Sequence, residues 1–174
     1  MPNYRRVIQN GGTYFFTVVT YKRQPLLLNI SSVNLFLHCI NGVKKKYPFE
    51  INAYAILPDH IHTIWTLPEN DSDYSNRWRL IKGNFTKSLP QSKQINSNGE
   101  KNIWQSRFWE HLIRSQEDYN KHCDYIHYNP VKHGLVESVD EWQFSSFKDF
   151  VTMGFYPEGC GKEIAKEIYQ MDLE

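Results

Sequence analysis

Apolar and polar positions along this chain recur with two periods, and they divide it into seven elements before any chemistry is considered. Residues 13–20 form a β-rich run, Thr13 to Thr20, entered through Gly11 and Gly12, and predict a first strand. From Ser31 or Ser32 as N-cap, Val33, Leu35, Phe36, Leu37, Cys39, Ile40 and Val43 mark an apolar helical stripe. That helix should end near Lys44, Lys45 and Lys46, before Pro48. Residues 51–57 and 60–67 read as two strands around a Pro58-Asp59 turn. An acidic loop over 69–73 precedes a basic amphipathic helix at 75–88, with Arg77, Arg79, Lys82 and Lys87. Residues 90–102, rich in Ser, Asn and Gln, predict a loop, and residues 106–114 a fourth strand. Ser115, with Asp118 three residues on, opens a last helix that runs to about Tyr128 and is stopped by Pro130. On it Tyr119, Cys123 and Ile126 form one stripe, and Asp118, His122, Tyr125 and Asn129 another. Strand, helix, strand, strand, helix, strand, helix implies an α+β fold: a ferredoxin-like antiparallel sheet with helices mainly on one face.

A length of 174 residues suits one domain with a substantial core, here placed at residues 1–150. An aromatic content of 15% excludes a disordered chain. The net charge of +1 conceals an asymmetry. Residues 1–136 hold 17 Lys and Arg against 10 Asp and Glu, a balance of +7; residues 137–174 hold 3 against 9, a balance of −6. A basic body suits a polyanionic partner, and the acidic C-terminal tail, 151–174, is a candidate regulatory segment that competes for the same surface. Cys39, Cys123 and Cys160 lack C-x-x-C spacing, so neither a disulfide framework nor a structural zinc site is expected. With no apolar leader and no membrane-length apolar run, the expected location is the cytoplasm, at the nucleoid, away from any membrane.

The chemistry concentrates at two places. His60 and His62 are two apart on a predicted strand, so both imidazoles point to one face and can grip one cation. Tyr125 and Asn129 are four apart on a predicted helix, so a hydroxyl and a carboxamide share one patch. Imidazole nitrogens with a neutral amide oxygen suit a divalent cation that keeps its full charge to set against phosphate. A phenol, with an ordinary pKa near 10, attacks phosphorus only when its phenolate is stabilised. Together these residues would make a phosphodiester-cleaving centre with Mg²⁺ or Mn²⁺. Against this stands the ordinary reading: an H-x-H pair on a half-exposed strand, and one amphipathic-helix tyrosine among 11. His122 reads as a surface histidine suited to phosphate, and His127, on the far side of the helix, as structural.

Three ordered blocks then carry a family likeness: residues 57–62 (Leu57 to His62), 102–111 (Asn102 to His111) and 125–134 (Tyr125 to Gly134). Over nearly its whole length the chain resembles the REP-associated tyrosine transposases, within the HUH single-strand endonuclease superfamily. The resemblance implies an HUH fold that nicks single-stranded DNA beside a hairpin from a repetitive extragenic palindrome. It implies Tyr125 as nucleophile, giving a 5′-phosphotyrosine and a free 3′-hydroxyl, with His60, His62 and Asn129 as metal ligands. It also implies a monomer acting in cis, although simple insertion-sequence relatives are dimers. Arg5, Arg6, Lys82, Arg107, Arg114 and His122 are the expected DNA contacts, and Tyr4, Trp104 and Trp109 candidate stacking rings, tryptophans being more often core. Two other readings share these residues: a hairpin-binding module that does not cut, and a phosphoesterase that uses activated water.

Overall fold

Four strands, β1 (Thr13–Val19), β2 (Glu50–Ile56), β3 (His60–Thr66) and β4 (Trp109–Leu112), pair antiparallel in the order β2-β3-β1-β4. The computed structural model describes residues 6–90, 102–160 and 170–171. β1 and β3 align so that Thr17 lies opposite His62 and Val19 opposite His60. Among the described residues the sheet is accompanied by α1 (Ile30–Lys46), α2 (Tyr74–Ser88), α3 (Gln116–Lys132) and the short α4 (Phe147–Thr152). The β1-α1-β2-β3-α2-β4 core is ferredoxin-like, as the pattern implied.

Strand alternation sorts the residues between two cores. Tyr14, Phe16, Val18, Ile61 and Trp65 turn to the face covered by α1 and α2, where Phe36, Trp78, Ile81 and Phe85 meet them. Trp65 stacks on Trp78 with centroids 4.2 Å apart and ring planes 16° from parallel, pinning α2 to β3. Phe15, Ala53, Ala55 and Ile64 turn to the other face, against Cys123, Tyr125 and Ile126 of α3. α1 and α2 therefore share one face, and α3 has the other. Segment 142–147 then closes the β2 edge, where Ile56 N donates to Phe144 O (2.8 Å) and Ser146 N to Tyr54 O (2.9 Å). No helix among the described residues is long and apolar enough to cross a membrane.

Several boundaries shift for local reasons. α1 starts earlier than the serines suggested, because Asn29 is the N-cap and Ser32 completes its capping box. β4 is shorter than the 106–114 reading, and Arg77 on the basic helix is buried, its guanidinium donating to Asp71 Oδ2 (2.6 Å) and Pro48 O (2.8 Å). Pro130 does not stop α3, which continues to Lys132. Proline removes one late hydrogen bond, while His133 N still donates to Asn129 O at 3.0 Å. The stop is Gly134, whose φ of +66° is left-handed and lets its N–H reach Val131 O. The extra turn matters because it holds Asn129 and Lys132 in the helix.

Candidate active site

His60 and His62 reach the α3 face of the sheet from adjacent positions on β3, and their ring centroids are 4.8 Å apart. Each ring is held from behind. His60 Nδ1 lies 2.6 Å from Asp59 Oδ1, and His62 Nδ1 lies 3.0 Å from Thr17 Oγ1 on β1. With Nδ1–H donating to these oxygens, the Nε2 nitrogens carry the lone pairs. His60 Nε2 then faces Asn129 Oδ1 at 3.2 Å. Two lone-pair atoms set that close together can share a cation between them. The donor set therefore fits the divalent ion that the fold family implies: neutral imidazole nitrogens and a carboxamide oxygen, all fully buried.

Burial alone would raise the Asp59 carboxyl, but the His60 hydrogen bond and charge and the Arg23 guanidinium (3.1 Å) outweigh it and leave it lowered. Asp59 thus stays ionised behind His60. Tyr125 sits across from the pair, its ring 5.1 Å from the His62 ring at 75°, on a seat formed by Phe15 (6.0 Å). Tyr125 is fully buried. Lys132, seven residues on along the same helix stripe, places its ammonium 4.9 Å from the centre of the Tyr125 ring. The same Nζ donates to Met171 O (2.8 Å), so Met171 rests against the tyrosine's helix. His133 closes over His60 with ring centroids 4.9 Å apart.

His60, His62, Tyr125 and Asn129 thus come together as the spacing suggested. The DNA-contact candidates divide. Arg107 and Arg114 are exposed beside β4. His122 is buried, its Nδ1 donating to Asp118 O at 2.8 Å and its pKa lowered, chiefly by burial. Arg6 bonds Ser75 Oγ, pairs with the buried Glu110 (3.7 Å) and covers the Phe108 ring (4.5 Å) on the α1/α2 face. Lys82 lies on that face too, its Nζ donating to Gln105 O (2.6 Å); burial and then the charge of Arg6 push its pKa down to about 8. Arg5 and Tyr4 lie outside the described residues. Trp104 is core, packed on Phe36 and Phe85, as tryptophans usually are.

His127 is structural, as the helix geometry implied. Nδ1 meets Tyr156 Oη (3.0 Å), Nε2 meets Ser146 Oγ (2.8 Å), and Tyr156 donates to Asp124 Oδ1 (2.9 Å). Burial pushes its pKa down to about 3. Sequence reasoning passed over Asp59, Thr17 and Lys132. Asp59 abuts His60 in the chain and Lys132 shares the Tyr125 stripe, so both could have been found; Thr17 needs the strand register.

The sequence profile described as "Transposase IS200 like" matches residues 9–129. The chain is 50% identical over 157 residues to the REP-associated tyrosine transposase of Escherichia coli (strain K12), covering 90% of this chain and 89% of that protein. Its fold matches a solved structure of a REP-associated tyrosine transposase bound to a REP hairpin, with a TM-score of 0.83 and 46% identity. That match covers 99% of this chain and 96% of the other.

Proposed function

Because the chain belongs to the IS200-like transposase family, within its REP-associated tyrosine transposases, we propose that it cleaves and rejoins single-stranded DNA beside palindromic hairpins through Tyr125. The observation that carries this reading is the convergence of Tyr125 and Asn129 from α3 on His60 and His62 from β3. Tyr125 Oη attacks the scissile phosphorus, the P–O3′ bond breaks, and a 5′-phosphotyrosine and a free 3′-hydroxyl result. The linkage keeps the phosphodiester energy, so a 3′-hydroxyl can reverse the step. His60, His62 and Asn129 would hold Mg²⁺ or Mn²⁺, which when bound supplies Lewis-acid stabilisation of charge on the phosphate. Asp59 and Thr17 fix the imidazole tautomers, and Phe15 seats both Tyr125 and His62. The Lys132 ammonium lies over the phenol ring of Tyr125. Palindromic hairpin DNA, as held by the structural relative, is the partner this reading assigns, and it places the protein at the nucleoid.

The burial of Tyr125 supports a regulatory role for the C-terminal segment. Lys132 is shared between the tyrosine and Met171, so displacing Met171 would release that lysine beside the nucleophile. Tyr156, Cys160 and Met171 all pack against the core around α3.

Incubation with labelled tailed hairpin and Mn²⁺ tests the reading. A covalent protein–DNA adduct that disappears in Tyr125→Phe supports it. Cleavage that persists in that variant means activated water, and binding without cleavage means a recognition module; either result overturns it.

A further inference from the structure

Among the described residues α3 packs chiefly over β2 and β3, and Trp109 and His111 at the β4 margin of the same sheet face are only half-buried. Trp109 and His111, two apart on β4, share that margin. Their rings are parallel within 5°, with centroids 5.9 Å apart, and His111 is in turn parallel within 15° to His122 of α3 at 4.6 Å. Three flat rings thus form one column from the sheet's edge strand to the nucleophile's helix.

The column is held in place. Asp118 accepts from His111 Nε2 (2.9 and 3.0 Å) and from the Arg114 N–H (3.0 Å), and its own N–H is capped by Ser115. Trp109 and Tyr125 each lie against Phe15, at 5.6 and 6.0 Å, so one ring separates the column from the attacking phenol. Ordinary core packing explains it poorly, because Trp109 is only half-buried and the His111 side chain is 32% exposed. Exposed Arg107 and Arg114 bracket β4 with positive charge. His111, Asp118 and His122 also bring ligand atoms within 4.8 Å of one another, a spacing that admits a cation. One fact weighs against one: Asp118 lies in the first turn of α3, the positive end of that helix, which already offsets its charge.

We propose that this column is a stacking subsite for one unpaired base of the DNA strand near the scissile phosphate, with Trp109 as the platform and Asp118 as a positioning residue. Every base has a π face, so such a platform takes any base, while the flanking arginines hold its phosphates. The inference rests on the function proposed above, as it names where that substrate's single strand lies.

The test measures binding with Tyr125→Phe protein and no divalent ion, so that cleavage plays no part. Fluorescence anisotropy compares a hairpin carrying a single-stranded tail with the same hairpin lacking it. Abasic sites are then walked through the tail. One abasic position should weaken binding about 5- to 100-fold, and Trp109→Ala should cost the same without adding to it. Trp109→Phe should retain most of the tail's contribution, and the tailless hairpin should bind all variants alike. Equal affinity at every abasic position overturns the subsite. So does a Trp109→Ala loss that is as large for the tailless hairpin, or a tail affinity that needs Zn²⁺ and survives Trp109→Ala. Failure to bind any hairpin sinks the proposed function along with it.

Discussion

Asp59→Asn isolates the carboxylate behind the metal-facing histidine. The replacement keeps the shape and an oxygen that can accept from His60 Nδ1, and removes the charge now 2.6 Å from that nitrogen. Carboxylates behind ligating histidines contribute roughly 10- to 100-fold in metal affinity, or about 1.4 to 2.7 kcal/mol. The same residue pairs with Arg23, whose side chain is 42% exposed, and an ion pair so open to water contributes under ~1 kcal/mol. The fold should therefore be nearly unaffected while cation binding weakens. The assay follows adduct formation against Mn²⁺ concentration. The midpoint should move up by 10- to 100-fold, and the rate at saturating Mn²⁺ should return to within a few-fold of the parent. An unmoved midpoint, or a loss that added Mn²⁺ does not restore, would refute the role given to Asp59.

Other consequences follow from the same geometry. Removing residues 161–174 should raise the rate of nicking, because it frees Lys132 from Met171 while leaving Tyr156 on His127; an unchanged or lower rate in a stably folded truncation would exclude the regulatory reading. His60→Ala or His62→Ala should abolish cleavage and leave hairpin affinity within a few-fold, since affinity rests mainly on phosphate contacts; a parallel collapse of both in gel-shift and cleavage assays would contradict it. His127 is neutral in the fold, with a pKa of about 3 against 6.5 unfolded. Its contribution is therefore complete above pH 6.5 and drains away as pH falls toward 3, by up to about 4 kcal/mol. Urea unfolding from pH 7 to 4 should show a shallower decline in His127→Gln than in the parent, and equal slopes would count against the assignment.

Much of this was legible in the chain because its periods are clean. The two-residue spacing of His60 and His62 and the four-residue spacing of Tyr125 and Asn129 fix faces without knowledge of the fold, and both pairs stand where those spacings put them. Register across strands was not legible: Thr17 supports His62 only because β1 runs antiparallel to β3 with those residues opposite. The end of α3 was misread because proline is a statistical stop, whereas Gly134 supplies the left-handed residue that closes the helix. Burial of Tyr125 was hidden for a related reason. An amphipathic pattern shows which residues share a stripe, but not that the far stripe is covered by the sheet, with Met171 beside it. Charge alone did not show which face each cation takes: Arg6 and Lys82 add to the basic count and are engaged with Glu110, Ser75 and Gln105 on the α1/α2 face.

The most direct measurement is mass spectrometry of the trapped protein–DNA adduct after proteolysis and nuclease trimming. With 11 tyrosines in the chain, the account predicts a 5′-linked nucleotide on Tyr125 and on no other residue. A nucleotide on Tyr119 or Tyr128, which flank it on the same helix, or cleaved DNA with no linked protein, would contradict it.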